Sequence, residues 1–213
     1  MPATSPRKKV RDAAPRLLPE LAETRGSRGT ILREALLLFA EKGYGATTVR
    51  DIAAKVGMLS GSLYAHFPSK EQILAELVHI GHEAHSKCLR AALLAGKPDP
   101  KGQLIGLMRA HVLFHTEFTT LAIVANAEVH VLEASLAKPA FDLRAQNLQL
   151  FKDLVERGVK LRVFRLNDVM LGTILLVSIG ARVANWYTRD FHLAPEKLAD
   201  EIAETSCRIV GAD

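Results

Sequence analysis

Apolar residues recur at the spacing of an α-helix along most of this chain. Between Thr30 and Lys42 they occupy one helix face, at positions 31, 32, 35, 36, 38 and 39. The same pattern predicts eight further helices, over residues 49–56, 60–67, 69–94, 103–118, 120–133, 139–160, 168–187 and 195–210. No segment shows the strict alternation that is typical of a half-buried strand, and no segment repeats at a fixed period. The pattern therefore predicts an all-α protein of about nine helices.

Local signals mark the ends of the first helices. Gly57 follows the second helix, in the position where glycine commonly ends one. Thr48, with Asp51 three residues later, is close to a capping box, and Ser69 with Gln72 forms one at the start of the fourth helix. These signals fix the second helix at 49–56 and begin the fourth at residue 69.

The second and third helices are separated by three residues only, which suggests a helix-turn-helix. Its packing requires the apolar residues of the two helices to face each other: Ile52, Ala53 and Val56 against Leu63 and Phe67. The third helix then presents mostly short side chains outward, so that its first turns can enter a major groove of DNA. Tyr64, His66 and Lys70 can donate hydrogen bonds to phosphates on either side of the groove.

The charge is distributed unevenly. The chain carries a net charge of +5, and its first 70 residues hold 12 Lys and Arg against 6 Asp and Glu, whereas the remainder is nearly balanced. A basic end on a neutral body favours a polyanionic partner. Residues 1–25 are rich in proline and basic side chains and predict a flexible arm that can reach a DNA groove. We therefore expect an arm over 1–25, a DNA-binding domain over 26–70, and a ligand-binding and dimerisation domain over 71–213.

The motif resembles the DNA-binding signature of the TetR family of transcriptional regulators. The resemblance rests on the runs 48–57 and 61–71 and on the end of the first helix, residues 39–44, and it covers about residues 27–75. It implies a repressor that binds a palindromic double-stranded operator as a homodimer, without a cofactor, and is released by a small molecule. On this resemblance the residues expected to contact DNA are Thr48, Arg50, Ser60, Gly61, Ser62, Tyr64, Ala65, His66 and Lys70.

The start of the third helix departs from the family pattern. Many members have Ser or Thr where this chain has Leu59, and we expect Ser60 to take the capping position instead. The sequence from Met58 to Tyr64 and the segment after Ala181 resemble those of a TetR subgroup associated with lipid and steroid catabolism in actinobacteria. That likeness implies a hydrophobic effector, an acyl-CoA thioester or a fatty acid.

The family pattern places the effector among the helices of the body. Aromatic and polar side chains share those helices, and an apolar cavity with a few polar anchors is typical of a small-molecule site. The candidate ligand residues are His111, Phe114, His115, Phe118, Asn126, Phe141, Arg144 and Phe151, although a plain helical core explains the phenylalanines equally well. The family pattern also implies dimerisation through the last two helices, where Gly172, Ser178, Gly180, Ala181 and Ala184 form a small-residue surface.

Histidines on the body helices leave one alternative open, a metal-responsive regulator. Their spacings place some of them on shared faces, but no Cys or carboxylate joins them in a motif with ligand spacing, which favours surface or pocket histidines. An enzyme with a DNA-binding head is a weaker alternative, since no phosphate loop or nucleophile motif is present. The most apolar stretch, residues 169–181, is shorter than a membrane span, so we expect a cytoplasmic protein that does not bind membranes.

Overall fold

The computed structural model describes residues 16–20, 25–96 and 98–212, and all regular secondary structure in these residues is helical. Most of the predicted arm, residues 1–15 and 21–24, lies outside the described residues. The described part holds nine α-helices: α1 Gly26–Lys42, α2 Val49–Val56, α3 Ser60–Tyr64, α4 Lys70–Ala95, α5 Pro100–Glu117, α6 Thr119–Glu128, α7 Ala134–Lys160, α8 Val169–Trp186 and α9 Pro195–Ile209. A 3₁₀ turn, Val129–Val131, follows α6. The predicted all-α class is confirmed.

The glycine-marked end of α2 matches the prediction, whereas the start of α7 and the end of α3 differ from it. Gly57 adopts φ 73°, ψ 28°, the left-handed conformation that glycine adopts without strain, and ends α2 at Val56. By contrast, α7 begins at Ala134, five residues before the predicted start at Pro139. Pro139 is the sixth residue of α7, so the helix contains this proline instead of beginning at it. The third helix ends at Tyr64, three residues earlier than predicted.

The described residues divide into two compact units. One contains the chain up to Glu83 together with Phe118–Ala140, and the other contains Ala84–Glu117 and Phe141–Asp213. Helices α4 and α7 each contribute to both units.

In the first unit, α1 packs against α2 and α6, and α2 packs against α3. Its core is formed by large side chains without solvent exposure, among them Ile31, Leu32, Ile52, Leu63 and Phe67. Of the apolar residues predicted to brace the helix-turn-helix, Ile52, Ala53, Leu63 and Phe67 are buried and Val56 is half-buried.

In the second unit, α5 packs against both α8 and α9. Leu104, Leu107, Met108 and Val112 of α5 are fully buried against apolar residues of the surrounding helices. Two polar residues of the same helix, His111 and His115, are buried with them.

Helix α8 has one buried and one exposed apolar face. Thr173, Leu176, Gly180, Val183 and Ala184 point into the chain's own core. The opposite face exposes Met170, Leu171, Ile174, Leu175 and Trp186. In the described part of the chain, α8 is the one helix whose length and composition would suffice to cross a membrane, with 33 % of its residues buried.

The small-residue surface predicted on α8 is largely internal. Gly172 lies against the Leu166 side chain, Gly180 lies against the His111 ring, and Ala184 is buried. Small residues are required here because neighbouring side chains of the same chain occupy the space that a larger residue would fill. The surface available to a partner is instead the exposed apolar face defined above.

Candidate DNA-binding surface and candidate effector site

Helix α3 presents a continuous exposed surface. Leu63 and, just beyond the helix, Phe67 are fully buried and anchor it to the first unit. Gly61, Ser62 and Ala65 are exposed, as is Tyr64. Because these exposed side chains are short apart from Tyr64, the surface can approach the floor of a major groove.

The predicted cap at Ser60 is wrong. The N-cap is Leu59, with extended backbone (φ −71°, ψ 144°) and no side-chain cap hydrogen bond. Its carbonyl oxygen accepts from the amides of Ser62 (3.0 Å) and Leu63 (3.2 Å), so Ser60 is the first helical residue. The Leu59 side chain is 80 % exposed at this end of α3.

The start of α2 is fixed by a complete capping box. The Asp51 amide donates to Thr48 Oγ1 at 3.1 Å, and the Thr48 amide donates to Asp51 Oδ2 at 2.9 Å. The Thr48 hydroxyl also donates to Asp51 Oδ2 at 2.8 Å. These bonds hold the pKa of Asp51 below its usual value. The hydroxyl of Thr48 is thus engaged within the chain, while Arg50 beside it is exposed on α2.

Lys70 connects the start of α4 to the segment that precedes α2. Its Nζ donates to the backbone carbonyls of Tyr44 and Thr47, both at 2.7 Å, and lies 4.0 Å from the centre of the Tyr44 ring. Burial lowers the pKa of Lys70 from its ordinary value. Two of its three N–H donors therefore position this segment.

Arg28 is a positioning residue that the sequence did not reveal. Its Nε donates to Glu76 Oε1 at 3.0 Å, its Nη2 pairs with Glu76 Oε2, and its Nη1 donates to the carbonyl of His66 at 2.6 Å. The guanidinium also lies 4.0 Å from the centre of the Phe67 ring. One side chain of α1 thereby holds the residues just beyond α3 and the first part of α4.

Three histidines of the second unit meet in a cluster, which we call the histidine cluster: His85 on α4 and His111 and His115 on α5. His85 Nε2 lies 2.8 Å from His111 Nδ1, and the two ring planes are inclined by 26°. The centre of the His115 ring lies 5.1 Å from that of His85 and 4.7 Å from that of His111. His79 and His130, by contrast, are exposed.

Two rings of the cluster, His111 and His115, are uncharged near pH 7. Burial, with a smaller contribution from His115, lowers the pKa of His111 from 6.5 to about 3, and burial lowers the pKa of His115 to about 4. A buried imidazolium would lack the hydration that stabilises its charge. Each of these two rings therefore keeps one nitrogen with a lone pair.

The other predicted ligand residues fall into separate groups. The Phe114 ring lies 4.9 Å from that of His85, and the Phe151 ring lies 5.5 Å from that of His111, so both border the histidine cluster. Phe118 and Asn126 belong to the first unit.

Phe141 and Arg144 form a pair on the second unit. The Phe141 side chain is exposed, and the Arg144 guanidinium lies 5.8 Å from the centre of its ring. Of the predicted ligand set, the structure therefore brings His111, Phe114, His115 and Phe151 together, and their role stays a prediction.

A cavity of about 580 Å³ opens in the second unit among α4, α5 and α7. Its apolar lining comes from Leu93, Leu150 and Leu154, and its polar lining from three glutamines, Asp153 and two arginines, Arg90 and Arg157. The Arg90 guanidinium donates to Gln146 Oε1 at 2.8 Å. The volume suits a small organic ligand, and two guanidinium groups against one carboxylate favour an anionic one. The lining shares no residue with the predicted ligand set.

Comparisons with known proteins give a consistent picture. A family model described as "Bacterial regulatory proteins, tetR family" matches residues 31–77, and one described as "Tetracyclin repressor-like, C-terminal domain" matches residues 97–210. The HTH-type transcriptional repressor KstR2 of Rhodococcus jostii (strain RHA1) is 32 % identical over 164 residues, which are 76 % of this chain and 80 % of that repressor.

Two solved structures share the fold. The ketosteroid transcriptional regulator KstR2 of Mycobacterium tuberculosis has a TM-score of 0.83 at 26 % identity, over 93 % of this chain and 100 % of that one. AibR in complex with isovaleryl coenzyme A and operator DNA has a TM-score of 0.78 at 20 % identity, over 88 % of this chain and 100 % of that one.

Proposed function

We propose that this chain, which belongs to the TetR family of bacterial regulatory proteins, is a repressor that an acyl-CoA thioester releases from its operator. Members of the family are DNA-binding transcriptional regulators rather than enzymes. The observation that carries the proposal is the exposed surface of α3. The buried side chains of Leu63 and Phe67 anchor this surface, and it lies within the basic first 70 residues of the chain. The protein acts in the cytoplasm, where its operator is accessible.

The DNA contacts divide into base readout and phosphate contacts. Ser62 and Ala65 on the exposed face of α3 are short enough to reach base edges, together with Ser60 and Gly61 at its start. Arg50 and Tyr64 are long and exposed, which suits contacts to phosphates beside the groove. Thr48, His66 and Lys70 position the backbone around this surface, as their hydrogen bonds within the chain support.

Substitution of Arg50 tests the DNA-binding surface. With an operator obtained by selection from random DNA, Arg50→Ala should weaken binding and reduce the slope of log affinity against log salt by about 1, as the loss of one phosphate contact predicts. Lys197→Ala is the matched control, because Lys197 is an exposed cation on α9, in the other unit. Equal salt slopes for the wild type and Arg50→Ala would contradict the assignment of Arg50.

The effector site proposed here is the cavity lined by Arg90 and Arg157. Coenzyme A carries phosphate groups that two guanidinium groups can bind, and the leucines at 93, 150 and 154 provide an apolar surface for an acyl chain. The structure of AibR with isovaleryl coenzyme A and operator DNA supports this ligand class for a protein of the same fold.

Helix α4 provides the connection between effector and DNA. It is one continuous helix whose first residues bond Tyr44 and Thr47 through Lys70 and whose later residues, Arg90 and Leu93, line the cavity. We infer that a ligand in the cavity shifts this helix and with it the α3 surface. Because the two binding events are linked, DNA must weaken ligand binding by the same factor as ligand weakens DNA binding.

An acyl-CoA panel tests the effector. An active acyl-CoA should release the operator and raise the melting temperature, and Arg90→Gln with Arg157→Gln should abolish both effects while operator binding without ligand persists. Arg208→Gln is the control, because this exposed arginine of α9 lies outside the cavity. If no acyl-CoA changes the melting temperature or the operator affinity, the acyl-CoA proposal is wrong and the DNA-binding proposal is unaffected.

A further inference from the structure

The histidine cluster has the donor set and the spacing of a metal site. His111 and His115 are four residues apart on α5, so they share one helix face, and His85 faces them from α4. One ring nitrogen from each of the three lies within 4.8 Å of the other two. With Zn–N bonds of about 2.0–2.1 Å, tetrahedral coordination places ligand nitrogens about 3.3 Å apart, so modest side-chain adjustments suffice.

Two of the rings are already oriented as ligands by backbone carbonyls. His111 Nε2 lies 2.9 Å from the carbonyl of Val177, and His115 Nδ1 lies 2.7 Å from the carbonyl of His111. A carbonyl only accepts, so these nitrogens carry the protons, and the lone pairs are on His111 Nδ1 and His115 Nε2. Metal-binding histidines commonly donate their second N–H to a carbonyl in this way.

The third ring, that of His85, lies beside Asn147, whose side-chain amide is not fully hydrogen-bonded. Asn147 is 8 % exposed, and its Nδ2 lies 3.5 Å from His85 Nδ1. Its Oδ1 is buried and has no hydrogen-bond partner among the residues that the structure describes. A buried amide oxygen without a partner is unfavourable, so this atom points to a state in which the arrangement differs.

We propose that His85, His111 and His115 bind one divalent first-row transition-metal ion, such as Zn²⁺, with a fourth position filled by water. Three imidazoles and one exchangeable position form a recognised zinc coordination sphere. The inference does not depend on the acyl-CoA proposal, since the cluster and the cavity share no residue.

The proton balance of metal binding involves Asn147. Without metal, His85 Nε2 donates a hydrogen bond to His111 Nδ1. When the metal binds both of these nitrogens, the His85 proton moves to Nδ1, and no net proton is released from the rings. Rotation of the Asn147 amide then brings Oδ1 to accept a hydrogen bond from Nδ1, while Nδ2 takes the buried position that Oδ1 leaves.

Metal titration of the untagged protein tests the proposal directly. After dialysis against a chelator, Zn²⁺ should bind with one ion per chain, and a hundredfold excess of Zn²⁺ over its dissociation constant should raise the melting temperature by about 5–10 °C. Co²⁺ should give the visible absorption of a four-coordinate, nitrogen-rich site. No bound metal and no Co²⁺ absorption in the wild type would overturn the proposal.

Substitutions locate the site. His85→Gln and His115→Gln should each lower Zn²⁺ affinity at least about 100-fold. Loss of a group that only hydrogen-bonds to a metal ligand already lowers metal affinity about 10–100-fold. His79→Gln is the matched control, because His79 is exposed on the same helix as His85. An equal loss in all three variants would indicate surface binding and overturn the site.

If circular dichroism shows that a cluster variant is unfolded, X-ray absorption spectroscopy of the wild-type Zn²⁺ complex tests the metal site instead. Scattering from three imidazoles supports the proposal, and one or none contradicts it.

Discussion

At the scale of single residues, Leu59 occupies the N-cap position of α3. Its apolar side chain is 80 % exposed at the N-terminal end of α3, where it cannot cap the helix. In a major groove, an apolar side chain can contact the methyl group of thymine. We therefore expect Leu59 to affect base preference rather than helix formation.

Leu59→Ala should weaken binding to the selected operator about 5-fold, as the loss of about 1 kcal/mol from one apolar base contact predicts. Replacement of the contacted thymine by deoxyuridine removes only the methyl group and should cost the wild type a similar factor. The Leu59→Ala protein should be insensitive to that replacement. Fluorescence anisotropy with the two duplexes measures both effects, and an unchanged sensitivity in the variant would contradict the contact.

The pKa values of His111 and His115 give a second prediction at the scale of residues. It applies to the protein in the presence of a chelator. Their pKa values in the folded state, about 3 and about 4, lie below the ordinary 6.5. Below pH 6.5 the unfolded chain therefore binds more protons than the folded one. The contribution of these two histidines to the free energy of unfolding is fully present above pH 6.5 and is lost as the pH falls toward 4 and then 3. His85 is the titratable group in contact with both rings.

Urea unfolding between pH 7.5 and 5 measures this loss. The slope of the free energy of unfolding should approach about 1.4 kcal/mol per pH unit for each histidine at the acid end of this range, above the pH at which most carboxylates titrate. His115→Gln should reduce the slope, and His79→Gln should not. A stability that is flat over this range would show that the two rings are protonated in the folded protein.

At the scale of elements, the contacts of Arg28 connect α1, the residues after α3 and α4. Glu76→Gln removes one negative charge, which by electrostatic attraction alone should strengthen DNA binding. Because it also breaks the two-bond pairing with Arg28, we expect operator affinity to fall instead, by about 3–10-fold, as the loss of about 1 kcal/mol of positioning predicts.

Arg28→Lys is the companion variant, since it keeps the charge and loses the paired geometry. It should show a similar loss of affinity with unchanged helix content by circular dichroism. Stronger operator binding by Glu76→Gln would mean that the pair does not position α3.

The same elements show how far sequence reasoning extends. The bounds of α2 were predictable because Thr48, Asp51 and Gly57 act on their immediate neighbours. The Arg28–Glu76 pair joins residues 48 apart, and the approach of His85 to His111 joins residues 26 apart. Neither leaves a local signal, because each depends on how two helices pack. Sequence alone therefore predicts α3 as the reading helix and its apolar anchors, but not the Arg28–Glu76 pair beside it.

At the scale of the whole molecule, the exposed apolar face of α8 requires an occupant. Met170, Leu171, Ile174, Leu175 and Trp186 lie on this face, while the opposite face of the helix forms part of the core. A second copy of the chain is the occupant that fits a protein reading a palindromic operator, since each half-site then receives one α3. We therefore expect a homodimer with α8 at its interface.

Ile174→Glu should dissociate that dimer, because the interface would bury two unpaired carboxylates, one from each subunit. Sedimentation equilibrium should show a dimer dissociation constant raised at least 100-fold, and affinity for the full operator should fall while affinity for a single half-site is unchanged. Lys160→Glu controls for added charge, since Lys160 is exposed on a different helix, at the end of α7. A dimer of unchanged stability would exclude the face as the interface, and wild-type protein that sediments with lipid vesicles would assign it to a membrane instead.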